Sequence, residues 1–227
     1  LANGTSYSYY VTTVYVNPAG ESGPSNTATA TPNSVSYVIL GTGNLATIGV
    51  QNSPINISNN SCHGQSVYLA ADLNAAGVTG PILITAMGFN VISSPNLALP
   101  NFLVRMKHTT ATSASDWQTA VDMITVYTNA SYSPSPGGYD MLAFNTPFVW
   151  NGVDNIVVDT AFGLVPTFDR SGTIQYTNVT NGYIFTWSDS ADQTNVFFGS
   201  YAPVSRRPNI RISVAPVSAE ATISVST

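Results

Sequence analysis

The sequence predicts an all-β fold, and three observations carry that prediction. No segment of the 227 residues holds a sustained helical stripe. Short runs rich in β-branched and aromatic residues recur along the chain, separated by Gly, Pro and Asn clusters. Turn signals fall between the runs, at Asn17-Pro18, Ala19-Gly20, Pro136-Gly137-Gly138, Asn151-Gly152 and Asn181-Gly182. The expected architecture is a large antiparallel β-sandwich, jelly-roll-like, over residues 33–214. A partial set of strands precedes it in 1–32, and a linker with an extra amphipathic strand follows in 215–227. The first boundary falls at Thr31-Pro32-Asn33-Ser34, where a run ends in a proline and polar residues.

In chain order, the expected strands are 7–16, 26–31, 36–40, 66–70, 82–92, 102–109, 125–131, 138–145, 155–162, 174–178, 182–187, 196–200, 209–214 and 221–226. Alternation is clearest at 102–108. Phe102, Val104, Met106 and His108 share one face, so Arg105 and Lys107 point the other way, to solvent or to a carboxylate. The run Asn155–Asp159 is apolar on consecutive positions and predicts a strand buried on both faces. Trp150 to Asn155, with Asn151-Gly152 inside, predicts a hairpin joining that strand to the one before it. One or two helical turns are expected over 115–124, where Trp117, Ala120, Val121 and Ile124 recur at helical spacing behind a capping Ser115 or Asp116. A second short turn is expected over 71–76. Residues 202–208 predict a crossing loop that holds Arg206 and Arg207 out in solvent.

Two resemblances sharpen this outline. Residues Leu1 to Val16, with Thr5 followed by Tyr7, Tyr9 and Val11 at alternate positions, resemble the E–F corner and F strand of a fibronectin type III domain. Glu21 to Pro32 resembles that family's F–G turn, G strand and exit proline. The resemblance implies that Tyr7 is the tyrosine-corner residue and that strands A to E lie outside the sequence. Such a remnant cannot bury Tyr7, Tyr9 and Val11 by itself. Residues 33–214 resemble a β-sandwich module of secreted Bacteroidota-like surface proteins, which often sits beside type IX secretion sorting domains. The resembling residues include Gly41-Thr42-Gly43, 67–73, 101–110, Trp117, Gly137-Gly138 and 147–159. This second resemblance implies architecture and carries no settled activity.

Composition excludes several classes of function. Only 7% of residues are charged, against roughly 25% in an average soluble domain. Net charge is −5 with six Lys plus Arg, and Lys107 is the single lysine, so a nucleic-acid footprint is missing. A polybasic membrane anchor is excluded on the same ground, and no apolar run approaches about 18 residues. Cys62 is alone, so no disulfide forms within the chain. Ser, Thr and Asn make up about a third of the chain and take the place of charge. This low-lysine, acidic composition suggests an extracellular or cell-surface protein of a prokaryote; the five N-x-[ST] sequons at Asn3, Asn56, Asn59, Asn129 and Asn178 are of the number a Thr/Asn-rich chain yields by chance. The sequence starts at Leu1 without a Met or a signal peptide, as expected for a processed product or a piece of a longer chain.

No constellation demands catalysis, and no enzyme activity is expected. Gly41 to Ala46 matches a dinucleotide fingerprint, but Pro54 and the absent helical stripe behind it make it a turn. His63 and His108 are the only histidines and lack a nucleophile elbow. Asp189, Asp192 and Asn195 offer oxygens for Ca²⁺ in one turn, the one cofactor weighed, against a solvated β-turn. Trp117, Tyr139 and Trp187 are candidates for a sugar-stacking platform, against core packing.

At the C-terminus, Ala221, Ile223 and Val225 form one apolar face of a strand attached through Pro216. An incomplete domain at one end and a spare strand at the other suggest head-to-tail strand donation, with Tyr7, Tyr9 and Val11 as the acceptor face. The expected function is thus a structural or adhesive subunit of a cell-surface assembly. Its partners are copies of itself or adjacent domains of a longer chain. The alternative is a carbohydrate-binding module whose partner is a glycan.

Overall fold

The structure, a computed structural model, describes residues 5–30, 36–46, 54–167, 172–199 and 203–217. The chain divides into two compact units, Ser36–Val214 and the segments that flank it. In the flanking unit, β1 (Tyr7–Tyr9) pairs antiparallel with β4 (Ala28–Ala30), and β2 (Val14–Val16) with β3 (Ala19–Glu21). Between the two pairs the ladder is completed by serines. Ser25 and Ser22 accept the backbone N–H of Val11 at 3.0 Å and of Thr13 at 2.8 Å. Tyr7 is half-buried, while Tyr9, Tyr10, Val11, Val14, Tyr15 and Val16 are exposed. The terminal strand with Ala221, Ile223 and Val225 lies outside the described residues.

The larger unit is an all-β sandwich of two antiparallel sheets. The first is five-stranded, in the order β10 (Ile124–Tyr132), β9 (Leu99–Thr109), β12 (Asn155–Phe162), β7 (Ser61–Tyr68) and β14 (Ile184–Ser188). The second is seven-stranded. Along it run β15 (Arg207–Pro208), β13 (Thr173–Thr177), β8 (Ile82–Ser93), β16 (Ile210–Pro216) and β5 (Ser36–Leu40), with β11 (Gly138–Trp150) on β8 and β6 (Leu45–Ala46) on β13. The single helix among the described residues, α1 (Ala70–Ala75), sits on the 71–76 segment. No described helix is long and apolar enough to cross a membrane.

Alternation places the core. Phe102, Val104 and Met106 face inward from β9, Ile156, Val158 and Phe162 from β12, and Cys62 and Tyr68 from β7. Opposite them stand Met87, Phe89 and Val91 of β8, Phe148 and Trp150 of β11, and Ile210 and Ile212 of β16. Inward parity on β8 switches from Ile82 and Ile84 to Met87, Phe89 and Val91. The switch coincides with the register shift in β11 between Ala143 and Phe148. Strand β12 is buried on both sides, because Val157 joins a second apolar cluster with Val67, Ala114 and Ile184 on the outer face of its sheet.

Four expectations are corrected. The Asn151-Gly152 turn does not close a hairpin: β11 pairs with β8 and β12 with β7 and β9, so the turn carries the chain from one sheet to the other. It keeps a tight turn's chemistry, since Asn151 Oδ1 accepts the N–H groups of Val153 and Asp154 at 3.0 Å each. Residues 115–124 form no helix. Gln65 takes both backbone groups of Gln118, and Lys107 donates to the carbonyls of Thr119 and Val121, at 3.0 and 3.3 Å, so side chains from the sheet supply the partners a helix would have supplied. Residues 196–199 form no strand, because the Val196 carbonyl is bonded by His63. Arg207 is not held out in solvent: it is buried, paired with Asp72 at 2.6 Å, and lies over the Tyr68 ring at 5.0 Å.

Candidate functional site

Three places in the sandwich gather chemistry-bearing side chains. The first lies on the outer face of the five-stranded sheet. Period-two alternation sends His63 and Gln65 of β7, Arg105 of β9 and Asp159 of β12 outward together. All four are buried, since the 110–123 and 189–199 segments fold over them. Asp159 Oδ1 accepts Arg105 Nε at 2.7 Å, and Oδ2 lies 2.6 Å from His63 Nε2 and 2.8 Å from Gln65 Nε2. Burial by itself would raise the Asp159 carboxyl. The His63 hydrogen bond and charge, Arg105 and Gln65 outweigh it and hold the group below the ordinary carboxylate range.

This cluster has the residue types of a catalytic site without its geometry. His63 Nδ1–H donates to the Val196 carbonyl at 2.7 Å, and Nε2 is engaged by Asp159 Oδ2 at 2.6 Å. Neither nitrogen is left to take a proton from a hydroxyl or thiol. Cys62 faces the opposite side of β7, in the core, where burial pushes its thiol up to about 12 despite hydrogen bonds with Tyr183 and the His63 backbone. The cluster instead fastens two loops. Arg105 donates to the Thr194 carbonyl at 2.7 Å and to Asn195 Oδ1 at 3.3 Å. Trp117 and Phe197 close over His63, their ring centroids 5.0 and 4.9 Å from the imidazole.

The oxygens weighed for Ca²⁺ belong to the same fastening. Asp189 Oδ1 accepts from Asn59 Nδ2 at 3.1 Å and Asn60 N at 3.2 Å, and Asp192 Oδ1 accepts from Thr194 N at 2.8 Å. Asn195 faces the Arg105 guanidinium. A cation beside Asn195 would face the guanidinium, and one oxygen each of Asp189 and Asp192 is already engaged by protein donors. The aromatic platform is dispersed as well. Trp117 joins the outer cluster of the five-stranded sheet, Trp187 packs against the core on that sheet's inner side, and Tyr139 belongs to the other sheet.

The second place is the outer face of the seven-stranded sheet. Tyr37 and Ile39 of β5 and Arg211 of β16 point away from the core, because Val38, Leu40, Ile210 and Ile212 point into it, and Tyr139 of β11 shares that face as the partner of Asn90, between core Phe89 and Val91. The Arg211 guanidinium lies 4.6 Å from the Tyr139 ring centroid and 5.6 Å from that of Tyr37. It reaches Tyr139 across β8 at Gly88, which brings no side chain to that face; a Cβ there would meet the Asp140 carbonyl at 2.3 Å. Asn90, opposite Tyr139, donates to Gln175 Oε1 at 2.6 Å. Unlike its counterpart, this strip is open at one end: Tyr37 is 61% exposed and Ile39 46%, while Arg211 and Tyr139 are half-buried.

The third place is a cavity of about 420 Å³ beside α1, lined by Ile39, Thr42, Asp72, Ala75, Ala76 and Arg207 among others. Gly41 turns the chain at its rim with φ +97°, and a Cβ there would fall 2.5 Å from Asn209 Oδ1. The Gly41–Ala46 stretch is thus a turn packed on β13 and the 207–209 segment, with Gly43 N–H bonded to Thr177 Oγ1 at 2.8 Å.

Sequence reasoning missed Tyr37, Arg211, Asp72 and Arg207. The signal for the first two was their outward parity on 36–40 and 209–214. Nothing local marks the Asp72–Arg207 pair, which is 135 residues apart.

No protein-family model matches the chain, and no curated protein does. Among solved structures, the chain is similar to the cysteine protease and lectin-like domains of Cwp84, a surface layer associated protein of Clostridium difficile. That alignment has 9% identity and a TM-score of 0.35, over 70% of this chain and 33% of the other. A second structure of this clostridial cysteine protease, after propeptide cleavage, aligns at 11% identity and a TM-score of 0.41, over 84% of this chain and 42% of the other. The chain spans less than half the length of either.

Proposed function

We propose that the chain is an extracellular, non-enzymatic adhesion module that binds glycans through the outer face of its seven-stranded sheet. The observation that carries this reading is the outward strip of exposed Tyr37 with half-buried Arg211 and Tyr139. Aromatic faces match the apolar C–H faces of sugar rings, and guanidinium and amide groups match their hydroxyls. Asn90 and Gln175 supply the amides. The strip has one positive charge and crosses β5, β16 and β11, which suits a polymer lying across strands rather than a small enclosed ligand.

A glycan array probed with the full chain tests this. Binding to a defined polysaccharide is expected to weaken about tenfold or more, roughly 1.4 kcal/mol, in Tyr139→Ala and in Arg211→Ala. Trp117→Ala, on the other sheet, should leave it unchanged. No binding across the array, or equal binding by all three variants, would overturn the reading.

The exposed hairpin favours a second reading, head-to-tail assembly. A two-stranded hairpin with Tyr9, Val11, Val14 and Val16 exposed needs a cover to be stable in water. Deleting residues 215–227 and measuring mass by light scattering tests whether the terminal strand supplies that cover. Unchanged oligomers after deletion would exclude it.

A further inference from the structure

The geometry points to the open cavity beside α1 as a second glycan subsite that recognises the vicinal hydroxyls of a single sugar residue. The proposal rests on the glycan reading of the outer face but stands on different residues. Its volume, about 420 Å³, exceeds the space one hexose needs and lies within the range of small-molecule pockets.

The polar groups at its wall are few and fixed. Asp72 receives Arg207 Nη1 at 2.6 Å and Leu69 N at 3.2 Å, both on Oδ2. Its Oδ1 takes no hydrogen bond among the described residues, and the side chain is 31% exposed. Arg207 directs both its hydrogen bonds from Nη1, to Asp72 and to the Val67 carbonyl, which leaves Nη2 as a donor. One carboxylate acceptor beside one guanidinium donor matches two adjacent hydroxyls, one giving and one receiving a hydrogen bond. Because the two charges offset each other, the pair favours a neutral polyol over an anion or an amine.

The remaining wall suits the rest of a sugar ring. Ala75 at the end of α1, Ala76 just past it, Ile39 and Leu40 add small apolar surface to the lining. Ile39 also joins the cavity to the strip, since it is the cross-strand partner of Arg211 and faces outward with it. A glycan lying on Arg211 and Tyr37 therefore meets the cavity at the edge of the sheet, where a chain end or a branch can enter.

Saturation-transfer NMR on the full chain, with the methyl glycosides of glucose, galactose, mannose and N-acetylglucosamine as probes, tests the proposal. At least one glycoside should show transfer at millimolar concentration. Asp72→Asn should weaken it about fivefold or more. Ala75→Trp, which fills the cavity from an exposed helix position and leaves the ion pair in place, should abolish it. Tyr139→Ala should leave it within twofold, and circular dichroism confirms that each variant is folded. No transfer from any glycoside, or transfer that survives Ala75→Trp, would overturn the subsite. Transfer lost in Tyr139→Ala but kept in Ala75→Trp would assign the sugar to the strip alone. Transfer blocked by Ala75→Trp in a chain that binds nothing on the array would keep the cavity and remove the strip.

Discussion

The two sheets of the sandwich send outward residues by the same alternation and meet opposite fates. On the five-stranded sheet, His63, Gln65, Arg105 and Asp159 lie beneath two loops, and every charge is partnered. On the seven-stranded sheet, Tyr37 and Ile39 lie open beside half-buried Arg211 and Tyr139. The difference teaches that a constellation of His, Asp and Arg is no better evidence of function than a bare aromatic strip. Under a roof, such a cluster is the means by which a sheet satisfies the backbone of irregular loops. Without one, weakly charged planar groups remain available to a ligand.

The largest expected effect breaks the covered face. Arg105→Met leaves the Asp159 carboxylate buried with fewer partners and should cost about 3–5 kcal/mol in urea denaturation. A loss under about 1 kcal/mol would mean that the cluster is wetter than its burial indicates. The same carboxylate sets a pH dependence. Its folded value is depressed, so its stabilisation is complete above the ordinary carboxylate value, near 4, and is lost as pH falls through the lower folded value. Thermal unfolding between pH 6 and pH 2 should show a midpoint that falls at the acid end, and less steeply in Asp159→Asn. Equal slopes for the two chains would assign the acid sensitivity elsewhere.

Trp117→Ala removes the ring over His63 and should cost about 1.5–3 kcal/mol, with faster proteolysis within 110–123. Tyr37→Ala, on the open face, should change stability by no more than about 0.5 kcal/mol. Comparable losses in the two variants would erase the distinction between the faces. Cys62 reports on the interior between them. Its buried thiol, raised to about 12, should resist alkylation in the folded chain and react only on global unfolding. Rapid labelling under native conditions would show local opening of β7. The smallest effect concerns metal: millimolar Ca²⁺ should move the melting temperature by less than about 1 °C, because Oδ1 of both Asp189 and Asp192 already accepts protein donors.

What could be read from residues alone was local. Alternation at 102–108 placed Phe102, Val104 and Met106 inside and sent Arg105 to the other side, where the structure supplies the carboxylate, Asp159. The apolar run at 155–159 marked a strand buried on both faces. The helix expected at 115–124 failed because its spacing is also that of a loop anchored by Trp117 on an apolar cluster. The Asn151-Gly152 hairpin failed because Asn-Gly specifies a turn and not which strands pair beyond it.

Sequence by itself determined the strand content, the parity of each strand and the weakly charged surface, since these follow from side-chain chemistry and a period of two. Only the tertiary structure decided which outward face is covered and which is bare. That choice depends on contacts between residues about a hundred positions apart, such as His63 with Asp159 and Asp72 with Arg207, and no local pattern encodes them.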